Sequence, residues 1–222
     1  MTTLPLNQDD RHLLGRYGIH DAKQYPALRH TFEPGEYLLR EGEPIEYIYF
    51  VVSGKAKVFL SLSDGKRLLL AYFMSRGVIG DVELMTNNHN AISTTQSVTK
   101  FVCVALPRNI CKDKLYSNVE FVNNIAKELA GKLVQRVNGG TISSLQPLEF
   151  RLCAYIIQSE SGGIFRETLT EVAEFVGASY RHLLRRLDKL CSDQVLRKEP
   201  GGYRILDYQA LCKKAGNLYE LK

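Results

Sequence analysis

Metal-ligand spacings, long apolar runs and a secretion-like start are missing from these 222 residues. No Cys-x-x-Cys pair occurs, and the five cysteines (103, 111, 153, 191 and 212) are scattered and odd in number. The five histidines show no ligand spacing with them. A secreted disulfide framework is therefore disfavoured, and ordinary reduced or buried thiols are expected. A redox-sensing role for Cys103 or Cys111 is the alternative. There is no His-x-His either, so an enzyme built on a metal-binding barrel has no visible ligand set. No catalytic residue, metal or other cofactor is expected. No N-terminal apolar run resembles a signal peptide, and no stretch approaches the roughly 18 apolar residues of a membrane span. These absences suit a cytoplasmic protein that is not an enzyme and has no membrane partner. The net charge of +5 is mild and permits an anionic partner without demanding one.

What is present concentrates near the C-terminal end. Residues 168 to 187, TLTEVAEFVGASYRHLLRRL, read as two short helices joined by a tight turn. Thr168 and Glu171 have capping-box spacing. Val172, Ala173 and Val176 form an apolar stripe, and Gly177 suits the left-handed backbone that ends a helix. Ser179 is placed to cap a second helix with Leu183, Leu184, Leu187 and Leu190 inward. Tyr180, Arg181, Arg185 and Asp188 then occupy the opposite face, flanked by His182, Arg186 and Lys189. An amphipathic helix with a merely solvated face competes with a DNA-reading helix here. The following residues favour DNA. Val195 to Lys198 and Gly202 to Leu206 flank Glu199-Pro200-Gly201 as a β-hairpin, which after a reading helix is a wing. From Tyr180 to Lys198 six Lys or Arg stand against two Asp.

Upstream, residues 1 to 28 read as a short helical lead-in. From about Thr31 to Leu106 short β-branched and aromatic runs alternate with turn residues, Asp64-Gly65 among them, which implies a small antiparallel β-barrel or jelly roll. Residues 115 to about 138 return to helical period. Val119, Val122, Ala126, Leu129 and Leu133 step by three and four, with Arg136 at the next seam position. That face either packs on its own barrel or pairs two chains; paired half-sites on DNA favour the second. Asn138-Gly139-Gly140 reads as a hinge before a half that begins near Gln146-Pro147.

Barrel, long helix and winged helix-turn-helix, in that order, resemble the CRP/FNR family of bacterial transcription regulators over roughly residues 30 to 210. Gly35 to Leu38, Glu41-Gly42-Glu43 and Tyr49 to Val58 look like its cyclic-nucleotide-binding β-roll signature. Val78 to Leu84 looks like its ligand cassette, and Leu169-Thr170, Val176-Gly177 and Ser179 through Leu187 match its helix-turn-helix. Ser179 to Leu184 looks closest to the YeiL-like branch. The resemblance implies an α+β chain: a cyclic-nucleotide-binding-like antiparallel β-roll with helical lead-in (1–114), a dimerisation helix and hinge (115–145), and a C-terminal winged helix-turn-helix (146–222).

The resemblance also implies site residues. Members that bind cyclic AMP place Glu after the cassette glycine and an Arg followed by Ser or Thr further on; here Asp81 follows Gly80, and Ala91-Ile92 stand at the second place. No Lys or Arg occurs from Val78 through Thr99. A cyclic phosphate would meet Asp81 and Glu83 unpaired, at a cost of several kcal/mol, and Arg136 is not counted on as a substitute. Cyclic AMP binding in the usual way is not expected. The effector pocket, if it serves one, comprises Gly80, Asp81, Val82, Glu83, Leu84, Ala91 and Ile92, for an unidentified small molecule or none. The first cysteine is Cys103, so the N-terminal cysteine cluster of the oxygen-sensing branch is absent, and no histidine stands out as a haem ligand. On the reading helix, Arg181 replaces the Glu of many members and Arg185 keeps the Arg suited to guanine O6 and N7. Ser179, Tyr180, His182, Arg186, Lys189 and wing Lys198 complete the expected DNA contacts. Double-stranded DNA, a second copy of the chain and RNA polymerase are the expected partners. The competing reading is an interaction module whose helix-turn-helix touches only proteins.

Overall fold

A computed structural model describes residues 1–21, 24–61, 67–74, 76–138 and 146–216. The chain divides into two units, Met1–Ser61 with Phe73–Asn138, and Leu62–Tyr72 with Gly139–Lys222. The Asp64-Gly65 turn signal, the Arg136 side chain and Gly139-Gly140 of the expected hinge lie outside the described residues.

Two antiparallel sheets make the β-roll. One runs in the order β1 (Thr2–Leu4), β2 (Leu28–Phe32), β9 (Phe101–Pro107), β4 (Tyr47–Ser53) and β7 (Val78–Ile79). The other runs β3 (Tyr37–Leu39), β8 (Thr94–Ser97), β5 (Ala56–Ser61) and β6 (Arg67–Met74). β4 and β9 pair from Tyr47 opposite Pro107 to Ser53 opposite Val102. Both strands are covered on both faces, which is why they read as unbroken apolar runs. Ile48, Phe50, Val104 and Leu106 join a cluster with residues of α1 (Gln8–Gly15), α3 (Arg108–Ser117) and α4 (Val119–Asn138), among them Leu14, Leu115, Phe121 and Ile125. Tyr49, Val51, Cys103 and Ala105 belong to a second cluster with Phe32 and Phe101. His30 is buried beside the rings of Phe32, Tyr47 and Tyr49, and burial lowers its pKa.

Two expectations need correction. The lead-in is not wholly helical, because Thr2–Leu4 pair with β2, Thr2 opposite Thr31 and Leu4 opposite Arg29. An open edge of β2 has unpaired backbone groups to satisfy, and the β-branched Thr2-Thr3 suit that role. The helix expected from residue 115 is also broken. Asn118 separates α3 from α4, its Oδ1 accepting from the Phe121 amide at 3.0 Å and its Nδ2 donating to the Gly18 carbonyl at 2.8 Å. It thus caps the second helix while tying it to the lead-in.

The second unit holds α5 (Leu148–Ser159), β10 (Ile164–Phe165), α6 (Leu169–Phe175), α7 (Tyr180–Ser192), β11 (Leu196–Glu199), β12 (Gly202–Ile205) and α8 (Tyr208–Lys214). Its core gathers Leu152, Tyr155, Phe165, Val172, Leu183 and Leu187, with Tyr155 stacked near Phe175 and edge-on to Phe165. The sheet order is β10-β12-β11, so the expected hairpin gains a third strand. A Cβ on Gly202 would lie 2.3 Å from the Phe165 carbonyl oxygen. Gly202→Ala is therefore expected to force β10 from β12 and destabilise the protein by about 1–3 kcal/mol. A urea midpoint equal to that of the unmutated chain would contradict this.

Candidate nucleic-acid interface and effector cassette

Helix α6 buries Val172 and Ala173, and its C-cap Val176 is buried too. Thr168 sits at its N-cap without any side-chain cap bond, so the expected capping box is not formed. Packing of the buried face holds this short helix instead. Gly177 adopts φ +61°, the left-handed turn that leads into α7. Ser179 caps α7, its Oγ accepting from the His182 amide at 3.3 Å. Leu183, Leu187 and Leu190 are fully buried, while Leu184 is half-buried.

The opposite face is exposed: Tyr180, Arg181, His182, Arg185, Arg186, Asp188 and Lys189 all face solvent. Its cations fall into two groups. Arg186 lies 3.6 Å from Glu149, and Lys189 lies 2.8 Å from Asp193. Lys214 of α8 approaches both acids, at 2.6 Å from Glu149 and 3.5 Å from Asp193. This five-charge network ties α5, α7 and α8 together, and residue spacing alone did not reveal it. Arg181 and Arg185, by contrast, have no side-chain hydrogen bond or ion pair to any described residue. On the wing, Glu199 pairs with Arg204 at 2.7 Å and Arg197 at 2.9 Å, which hold its carboxyl below the usual range. Lys198 is exposed on the same hairpin.

In the first unit, Gly80 caps the short helix α2 (Asp81–Met85) with φ +88°. Asp81 and Glu83 are each only 3% exposed, and Leu84 and Ala91 are buried; Val82 is half-buried and Ile92 exposed. The cassette has its cation after all. Lys132 of α4 donates to Asp81 Oδ2 at 2.6 Å and to the Val78 carbonyl at 3.0 Å. Sequence reasoning missed it because it lies 51 residues away; helical spacing on α4 from the seam was the only available signal. Glu83 Oε1 accepts from the Ile92 amide at 3.0 Å. From the other flank, Arg108 donates to the Asn88 carbonyl at 2.9 Å, and the Tyr116 hydroxyl donates to the Leu84 carbonyl.

Along α4, Val119 (72% exposed), Ala126 and Leu133 (64%) face outward, Val122 and Leu129 are half-buried, and Phe121 and Ile125 fill the core. All five cysteines are free, and burial pushes the thiols of Cys103 and Cys111 up, away from the reactive thiolate. Among the described residues, no group of three or more His, Cys, Asp or Glu is arranged to hold a metal ion, and no helix is long and apolar enough to cross a membrane.

Residues 29–117 match the family described as the cyclic nucleotide-binding domain. The regulatory protein YeiL of Escherichia coli O157:H7 is 29% identical over 176 residues, covering 79% of this chain and 80% of YeiL. A solved structure of a putative transcriptional regulator of the CRP/FNR family from Eubacterium rectale superposes with a TM-score of 0.72 at 14% identity, over 95% of each chain. The chain is thus similar to transcription regulators of the CRP/FNR type in sequence and shares their fold. The CRP-like cAMP-activated global transcriptional regulator of Mycobacterium tuberculosis is 24% identical over 221 residues, covering 91% of this chain and 98% of its own. The antiparallel β-roll followed by a unit of short helices and a small sheet is the architecture that this chain shares with the Eubacterium rectale structure.

Proposed function

We propose that this regulator acts as a homodimer that reads specific double-stranded DNA with α7, in the cytoplasm and without catalysing a reaction. The observation that carries the reading is the split face of α7: leucines buried behind, Arg181 and Arg185 exposed in front and paired with no described residue. Guanidinium groups on the exposed face of a helix suit guanine O6 and N7 in the major groove. Ser179, Tyr180 and His182 flank them for backbone contacts, Lys198 serves from the wing, and Arg186 and Lys189 contribute after leaving their carboxylate partners. Residues 115–145 join the halves, and the outward Val119, Ala126 and Leu133 of α4, with Val122 and Leu129 beside them, form the seam for the second copy. RNA polymerase is the downstream partner, and any small effector acts through the β-roll.

The β-roll, in this reading, does not take cyclic AMP in the usual way. Asp81 already holds Lys132, the one cation among the described residues that bonds to the cassette carboxylates, and a cyclic phosphate would arrive at Glu83 with no described cation left for it. The test is direct. Bound sites are mapped across the genome, the recovered operator is made as a short duplex, and affinity is measured over a salt series. Tight binding to the operator, weak binding to scrambled duplex, and a linear fall of log affinity with log salt of about 0.9 per phosphate contacted are expected. Failure to shift any DNA at low salt would transfer the role to a protein-contacting module. Micromolar, saturable cyclic AMP binding by the unmutated chain would overturn the effector part.

A further inference from the structure

Among the described residues, the cassette turn brings together two buried carboxylates, Asp81 and Glu83, and one ammonium, Lys132. Asp81 and Lys132 satisfy one another, and the same ammonium donates to the Val78 carbonyl. Glu83 is buried as deeply as Asp81, yet its Oε1 takes no cation that is described here; it accepts from the backbone amide of Ile92, nine residues on. An amide in such a place needs an acceptor. A carboxylate taken out of water needs donors. Each answers the other.

An oxyanion arriving at the Ile92 amide would first have to displace Glu83. It would then leave that carboxylate buried and unpaired beside a second one, Asp81, whose cation is already engaged. The steric and the electrostatic obstacle come from the same side chain. The segment that carries the amide is itself held: Gly42 and Glu43 bond to Ala91 through backbone groups at 2.8 and 2.9 Å, and Arg108 grips the preceding loop through the Asn88 carbonyl. The amide therefore stays aimed at Glu83 while the helix carrying Glu83 is fixed by Lys132.

We propose that Glu83 is a built-in occupant of an oxyanion site, its carboxylate standing on the Ile92 amide where a phosphate-bearing small molecule would otherwise be held. This rests on the reading that cyclic AMP is not bound in the usual way, and it deepens that reading by naming the group that keeps such ligands out. Full-length Glu83→Ala, Glu83→Ser and Glu83→Gln proteins are titrated calorimetrically with inorganic phosphate and with cyclic AMP. Alanine and serine, too short to reach Ile92, are expected to bind at least one of the two about tenfold or more tighter than the unmutated chain. Glutamine keeps an oxygen on the amide and is expected to remain closed. Hydrogen exchange gives a readout independent of any variant: the Ile92 amide is expected to exchange slowly in the unmutated protein.

Folded alanine or serine variants that bind neither ligand overturn the proposal, as does an Ile92 amide that exchanges freely in the unmutated chain. Binding by glutamine equal to that by alanine overturns it too, since occupancy would then not be the barrier. Cyclic AMP binding by the unmutated chain has a different meaning, because it defeats the earlier reading itself.

Discussion

Arg185→Ala is expected to weaken operator binding about 5- to 150-fold, a loss of about 1–3 kcal/mol, and to relax the preference at one base pair. The side chain is exposed on α7 and engages no described carboxylate, so no described residue competes with DNA for it. The helix should survive the change, because Leu183, Leu187 and Leu190 hold it from behind and alanine is a good helix former. Arg186 and Lys189 make the contrast. Both are engaged with Glu149 and Asp193, so their replacement by alanine is expected to change DNA affinity far less, within the roughly 0–1 kcal/mol of exposed ion pairs. Fluorescence anisotropy with operator and scrambled duplexes separates the cases. An Arg185→Ala loss of equal size on both duplexes would leave Arg185 a phosphate contact and nothing more.

The second large effect concerns stability. Lys132→Met removes the only cation described at Asp81, leaving a carboxylate that is 3% exposed beside an equally buried Glu83. Removing one member of a buried pair costs more than the pair contributes, because the remaining charge stays out of water. Lys132 itself is partly open, so the loss is expected at about 1–3 kcal/mol, below the full cost of a wholly buried pair. Asp81→Asn in the same chain should recover most of it, since the neutral amide needs no counter-charge. Urea unfolding of the two single variants and the double variant reads this out. Additive losses would mean that Asp81 and Lys132 do not act as a pair.

Several elements were legible because their signals are local. Tyr47 to Val52 is a strand by composition, and Lys55 to Leu60 alternates beyond the Ser53-Gly54 turn. The α6–α7 pair was marked by an apolar stripe, a glycine and a serine cap within about a dozen residues, and the wing by two short runs around Pro200-Gly201. The capping box at Thr168 and Glu171 had equally good spacing and did not form. A motif of that kind offers about 1 kcal/mol, and the packing of Val172, Ala173 and Phe175 decides the helix without it.

Other features had no local signal. Thr2–Leu4 are a strand only because β2, some 27 residues later, offers an edge. Asn118 interrupts a continuous helical pattern because it can cap α4 and reach Gly18 at once. β10 is two residues long and has strand character only beside β12.

From its order of residues alone, this chain determined its β-roll and helical elements and the face of α7 that carries the exposed arginines, since periods of two and of 3.6 are written within single elements. The tertiary structure decided which charges are spent inside the protein. Lys132 reaches Asp81, Lys214 bridges Glu149 and Asp193, and Glu83 meets Ile92 only after folding, because the energy of a charge depends on what surrounds it in space and not on its neighbours along the chain.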